Sequence, residues 1–311
     1  MMNVKLSEQF VGAMLGLMVG DALGRTRKDH TPESLMEREN FDGEMIGGFY
    51  TEDSELAMGV AESLLELGEI DPDHLAVKFG QNLNAMRGHN PGELEVLYRL
   101  QQGMDWRDAN RVVFAEGSYG VGGSCRATPI GLFYHNDHDT LIEAAAASAR
   151  VTHAHPLGEA GAVTVALAVA MAANRVTAQG MFYEMQDMLA ATPYAEILPH
   201  FVPLVDLLES WPNPAQVVEA IGDNRLTVQA CIPAALYSVL RHPDSFEKAV
   251  LFAVSLGGDA DTIGAIAGAV AGAYHGQKAI PGKWIQALEN EERGRDYMIE
   301  LGARLYETVK R

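Results

Sequence analysis

Glycine recurs every four residues at Gly264, Gly268 and Gly272, inside an apolar run that continues to His275. A helix places residues i and i+4 on one face, so these positions form a strip where another helix backbone can come unusually close. A second run, Val11-Gly12-Ala13-Met14-Leu15-Gly16-Leu17-Met18-Val19-Gly20, is apolar nearly all round and carries glycines of its own. A surface helix keeps a polar face, so a segment of this kind belongs inside a helical core with close neighbours. Residues 54–67, 141–151, 158–173, 228–241, 245–256 and 262–275 read as further helices. No alternation of apolar and polar residues persists long enough to mark a strand. Residues 25–48, 88–92 and 116–128 are rich in glycine, charge or polar groups and are predicted to be long loops, while Asn213-Pro214 is a helix start, with Asn as cap and Pro in the first turn. No repeat or flexible linker divides the chain, and one all-α domain over residues 1–311 is expected.

Composition narrows the function classes. With 48% hydrophobic and 21% charged residues in 311, the chain can bury a large core. Its 23 Lys+Arg against 42 Asp+Glu leave a formal charge of −19, which argues against nucleic acid as a partner held on a broad basic surface. An anionic small ligand held by backbone amides or a metal is still open to it. Cys125 and Cys231 stand far apart with no metal-ligand spacing, and neither a signal sequence nor a span of ~20 apolar residues is evident, residues 10–20 and 160–173 included. A soluble cytoplasmic protein that does not engage membranes is the expectation.

The densest chemistry lies in Ser255-Leu256-Gly257-Gly258-Asp259-Ala260-Asp261-Thr262, which puts two carboxylates and a hydroxyl at the mouth of a helix. Hard oxygen donors packed this closely suit Mg²⁺ or Mn²⁺, although Asp259 and Asp261 would also serve as a helix cap and first-turn charge. Thr51-Glu52-Asp53-Ser54-Glu55 repeats the theme ahead of another apolar helix, and alone it reads as a Thr-capped acidic turn. Two such clusters could converge on a two-metal site, in which one carboxylate commonly bridges ions ~3.5–4 Å apart. Asp21, between Gly20 and Gly24, reads as part of a helix-ending turn in preference to a group supporting that site. Gly117-Ser118-Tyr119-Gly120-Val121-Gly122-Gly123-Ser124 is a glycine-rich loop whose amides could cradle phosphate, though it is neither a P-loop nor a dinucleotide fingerprint. Thr152-His153-Ala154-His155-Pro156 makes a poor zinc site; a histidine capping a helix C-terminus and a histidine touching a ligand both fit it.

In this order along the chain, the segments resemble the ADP-ribosylglycohydrolase family: Gly20-Asp21-Ala22-Leu23-Gly24, Thr51-Glu52-Asp53, Gly117-Ser118-Tyr119-Gly120, Thr152-His153 and Gly257-Gly258-Asp259-Ala260-Asp261-Thr262. The resemblance covers nearly the whole chain and looks closest to the serine-ADP-ribose hydrolase branch. It implies a single-domain orthogonal helical bundle with a central cleft holding two Mg²⁺ ions, or Mn²⁺. It further implies that Thr51, Glu52 and Asp53 serve one metal, Asp259 and Thr262 the other, and that Asp261 is shared, with Asp53, Glu52 and Asp261 as catalytic carboxylates. Ser118, Tyr119, Gly120, Gly122 and His153 would line the ADP-ribose site. The implied reaction is hydrolysis of ADP-ribose conjugates, ADP-ribosylated protein among them, with the metals holding the distal ribose hydroxyls and orienting a water. Alternatives are a catalytically weak ADP-ribose-binding relative and a two-metal phosphohydrolase. Three departures stand out: Glu52 replaces the Asp of the family's Thr-Asp-Asp, Lys28 stands where the serine-directed branch has a glutamate, and Val121 where the loop often has Asn. Asp29 and Glu33 are the carboxylates nearest to Lys28 that could reach in its place.

Overall fold

The computed structural model describes residues 4–37, 43–222 and 225–310, and among them there is no strand, only an isolated antiparallel bridge between Gly120 and Thr227. The centre is an antiparallel helix pair, Leu6–Arg25 against Ala260–His275. Gly12 faces Gly272, Gly16 faces Gly268, Gly20 faces Gly264 and Gly24 faces Ala260. At each rung a Cβ on the first helix would overlap the facing carbonyl, so the glycine strip permits backbone contact that no other residue allows. Around this pair pack Pro156–Ala173, Val228–Arg241 and Phe246–Ser255 on one member and Arg295–Val309 on the other. Buried apolar side chains from Phe10 to Leu305 form one contiguous cluster.

The helix Glu52–Leu67 begins where the Thr51 hydroxyl accepts from the Asp53 amide, carries Glu52, Asp53 and Glu55 in its first turn, and ends at Gly68 with φ +79°. Acidic residues at a helix N-terminus complement the exposed amides there. The predicted start at Asn213-Pro214 is present as a reciprocal capping box with Gln216.

Four expectations are corrected. Asp21 is no turn residue: the helix runs on to Arg25, because Gly20 and Gly24 are covered by the partner helix and need not end it. Residues 116–128 are not all loop, since Gly122–Cys125 is helical and Thr128 opens the helix Thr128–Phe133. Within 25–48 a short helix, Pro32–Met36, is capped by Thr31; residues 38–42 of that stretch lie outside the described residues. Finally, residues 160–173 belong to the longer helix Pro156–Ala173, whose mean hydropathy of 1.6 over 18 residues is enough to cross a membrane, yet 89% of it is buried among the other helices.

Candidate metal and ligand site

The glycine ladder ends at the site. Gly24 against Ala260 sets the last turn of the first helix, with Asp21, beside the first turn of its partner, with Asp259, Asp261 and Thr262. Gly257 and Gly258 have φ of +65° and +61°, which glycine adopts without strain. Their turn pairs with the chain leaving the first helix: the Asp29 amide donates to Gly258 O at 2.8 Å and the Gly258 amide to His30 O at 2.9 Å. A Cβ at Gly257 would overlap that same His30 carbonyl. This backbone clasp holds Lys28 over the carboxylates.

Lys28 Nζ lies 2.9 Å from Asp261 Oδ2, 3.0 Å from Asp259 Oδ1 and 3.9 Å from Glu52 Oε1. The two acidic clusters, some 200 residues apart in sequence, therefore meet around one ammonium. Asp29 and Glu33 are exposed and do not take its place. Asp259 does not cap its helix with its side chain, so the capping alternative fails for it; Asp261 Oδ1 accepts from the Thr262 amide at 3.0 Å. Asp21, fully buried, accepts from the Thr51 amide and hydroxyl and from the Ser54 amide and hydroxyl, with hydroxyl contacts of 2.7 and 2.6 Å. It is thus a supporting group that holds the Thr51–Ser54 turn.

Burial dominates the electrostatics. It pushes Asp53 well above its usual range, and the charges of Glu52, Asp21, Asp261 and Asp259 push the same way. Burial raises Glu52 to about 8 against the pull of Lys28, and raises Asp259 to about 7, with Asp261 adding to the shift and Lys28 opposing it. Burial also raises Asp21 to about 6, offset in part by its hydrogen bond from Ser54. Burial alone would lower Lys28, but Asp261, Asp259 and Glu52 together drive it strongly up. One ammonium does not balance this much negative charge. Asp53 Oδ2 and Glu52 Oε2 are buried and accept no hydrogen bond. These unpartnered hard oxygens are what a divalent cation on the Thr51–Asp53 side would use, although among the described residues no three His, Cys, Asp or Glu side chains converge on one point as a ready-made metal cage. On the other side, Asp261 Oδ2 accepts a hydrogen bond from Lys28, and Asp259 Oδ1, which accepts none, lies 3.0 Å from the same ammonium as an ion pair.

The glycine-rich loop lies next to this cluster. Its Gly120 bridges Thr227, the Val121 amide donates to Leu226 O at 2.9 Å, and one turn into the helix that follows, Cys231 Sγ is 4.0 Å from Asp259 Oδ2. Ser118, Tyr119 and Gly120 line an open cleft of about 240 Å³ with Asn90, Phe114 and Leu226. Tyr119 and Phe114 are 46% and 48% exposed, high for aromatic side chains. His153 is buried beneath the loop; a Cβ at Gly120 would come within 3.2 Å of its Nε2, and one at Gly123 within 3.1 Å of its Cβ. Burial lowers His153 to about 4, so its ring is neutral, with Nδ1 2.7 Å from Thr152 Oγ1. The expected C-terminal cap is corrected: His155 caps the N-terminus of the helix Pro156–Ala173, its Nδ1 accepting from the Leu157 amide. Gly122 sits over Glu93, whose Oε1 would be 3.1 Å from a Cβ there. Glu93 contacts His89 at 3.4 Å, and His89 reaches Glu55 at 3.2 Å, which ties the loop to the Glu52–Leu67 helix.

Asn90, Phe114, Leu226, His89 and Glu93 are absent from the sequence-based site. Only Phe114 left a trace, as the end of an apolar Val112-Val113-Phe114 triplet in a polar stretch, all three exposed in the fold. The others depend on contacts between distant segments.

Comparison with known proteins gives the family and the fold. A family model described as ADP-ribosylglycohydrolase matches residues 2–311. An uncharacterized protein of Archaeoglobus fulgidus is 32% identical, over 97% of each chain. The mouse ADP-ribosylhydrolase ARH3 is 30% identical, over 91% of this chain and 88% of its own. A solved structure described as an ADP-ribosylglycohydrolase-related protein complex superposes with a TM-score of 0.77 at 28% identity, covering 98% of this chain and 99% of that one.

Proposed function

The chain belongs to the ADP-ribosylglycohydrolase family, and on that basis we propose that it hydrolyses the glycosidic bond joining ADP-ribose to a protein side chain or small acceptor. The observation that carries this reading is the meeting of Glu52, Asp259 and Asp261 around Lys28, with Asp53 buried among them and the Ser118–Gly120 loop tied to Asp259 through Thr227 and Cys231. Buried carboxylates stabilise the positive charge that develops on the ribose as the anomeric bond breaks. Water then adds to the anomeric carbon, and the departing acceptor takes up the proton. Exposed Tyr119 and Phe114 offer faces for the adenine, and the amides of Gly122 and Gly123, which open the helix Gly122–Cys125, would meet the diphosphate, those of Gly120 and Val121 being engaged by Ser118 Oγ and Leu226 O. A Mg²⁺ ion at Thr51, Glu52 and Asp53 would supply Lewis acidity and orient the ribose hydroxyls. Asp261 and Asp259 complete the anionic wall, Thr262 follows in the first turn of the same helix with its amide on Asp261, and Asp21 fixes Thr51.

A second reading, an ADP-ribose-binding relative with weak turnover, is favoured by one observation, the Lys28 ammonium among the carboxylates. Defined conjugates with N-linked arginine, O-linked serine or O-acetyl ADP-ribose, assayed by chromatography for free ADP-ribose, separate the two and identify the linkage. Release from one conjugate class supports the hydrolase. Tight ADP-ribose binding with no release from any of them supports the second reading.

A further inference from the structure

We infer that Lys28 is a resident cation of the carboxylate cluster and takes the place of one divalent ion, so that the site accepts one such ion and not two. The inference rests on the metal-dependent reading of the site. Its geometric basis is the ammonium 2.9 Å from Asp261 Oδ2 and 3.0 Å from Asp259 Oδ1, the oxygens that a metal at the start of the Ala260–His275 helix would need. The position is built into the backbone. Lys28 sits between the end of the first helix at Arg25 and the paired Asp29–Gly258 and Gly258–His30 contacts, where Asp29 itself has φ +64°. Its side chain is only a quarter exposed, and a third carboxylate, Glu52, lies at 3.9 Å. Lysine brings three donors and no lone pair when charged, so it holds these oxygens and coordinates nothing.

Asp53 Oδ2, Glu52 Oε2 and Asp259 Oδ1 are all buried without a hydrogen-bond partner; of the three, Asp259 Oδ1 has the ammonium at 3.0 Å as an ion pair, and Asp53 is almost wholly inaccessible to solvent. Two classes of cation are therefore sorted by side: an ammonium against Asp259 and Asp261, a divalent ion against Glu52 and Asp53. Like charges at contact distance repel strongly where water is scarce. A second divalent ion would have to displace the lysine from its ion pairs.

The test uses the full chain, stripped by chelation and titrated with Mn²⁺ alone, read by calorimetric stoichiometry and electron paramagnetic resonance. Wild type is expected to bind one Mn²⁺ per chain with the signal of an isolated ion. Lys28→Gln and Lys28→Glu are expected to bind two, with the spectrum of a coupled pair, and a second-ion affinity raised roughly 100-fold or more. Lys28→Arg, which keeps the charge, is expected to stay at one. Two ions in the wild type overturn the inference, a result that does not depend on any variant folding, and leave the hydrolase reading standing. One ion in the wild type and in both charge-removing variants also overturns it. No Mn²⁺ in any of them overturns it together with metal dependence, and ADP-ribose release without metal then shows whether hydrolysis survives.

Discussion

Asp21 grips Thr51 twice, accepting its backbone amide at 2.9 Å and its hydroxyl at 2.7 Å. The same carboxylate takes the Ser54 amide and hydroxyl, so one buried side chain sets the start of the helix that presents Glu52 and Asp53. Asp21→Ala leaves these buried donors without a partner, and each such loss costs roughly 1–3 kcal/mol. We expect urea unfolding to show a loss of about 2–4 kcal/mol, and kinetics on a folded sample to show kcat falling more than ADP-ribose affinity. Wild-type stability in Asp21→Ala would remove its supporting role.

The glycine ladder makes a sharper stability claim. Gly20→Ala drives a Cβ into the Gly264 carbonyl, with backbone on both sides and no flexible side chain to yield. Overpacking usually costs about 1–3 kcal/mol, and this position is expected at or beyond the upper end. Gly282→Ala, with nothing within 4 Å of the new Cβ, serves as the control and should change stability little. A Gly20→Ala protein as stable as the Gly282→Ala protein would refute the close approach.

The His89 bridge gives a pH dependence of defined sign. Burial alone would lower His89, but the hydrogen bonds its ring donates to Glu55 and Glu93 override it and push it up from 6.5 to about 10. A group raised in the folded state stabilises fully below its unfolded pKa and loses that contribution as pH climbs through the folded value. The stability gap between wild type and His89→Gln is therefore expected to be full near pH 6 and to shrink by ~1 kcal/mol or more towards pH 10. Glu93, which burial would raise, is held down at about 2 chiefly by His89, so its own contribution is lost only in strong acid. Chemical denaturation of both proteins across this range decides it; a gap that widens with pH would contradict the bridge.

Tyr119 and Phe114 carry the base-binding claim. Both are exposed in the cleft, so Tyr119→Ala and Phe114→Ala should leave the melting temperature unchanged. Loss of a stacking ring costs roughly 1–3 kcal/mol per base, and ADP-ribose affinity is expected to fall about 5- to 100-fold. Calorimetry showing undiminished affinity in both variants would place the adenine elsewhere.

The parts of this fold that are legible in sequence are those with short-range rules. Gly264, Gly268 and Gly272 announce a close helix contact through i+4 spacing alone, and Thr51 announces a cap. The two acidic clusters announce themselves by density of oxygen donors. What stays hidden depends on register between distant segments. Asp21 reads as a turn because Gly20 and Gly24 look like breakers until the facing helix covers them. Lys28 meets Asp261 across 233 residues through a turn whose geometry rests on positive φ at Asp29, Gly257 and Gly258. His89 and Glu93 are an i,i+4 pair, but the contacts that make them a bridge, His89 to Glu55 and Glu93 beneath Gly122, join segments far apart in sequence.

The central claim is that the Glu52, Asp53, Asp259 and Asp261 cluster cleaves ADP-ribose from its acceptor. Product analysis tests it most directly: wild type and Asp261→Asn are incubated with an ADP-ribosylated substrate, with Mg²⁺ and then with chelator. Free ADP-ribose from the wild type with Mg²⁺, and its loss both on chelation and in Asp261→Asn, is the expected result. Release of AMP, or undiminished ADP-ribose release by Asp261→Asn, would contradict it.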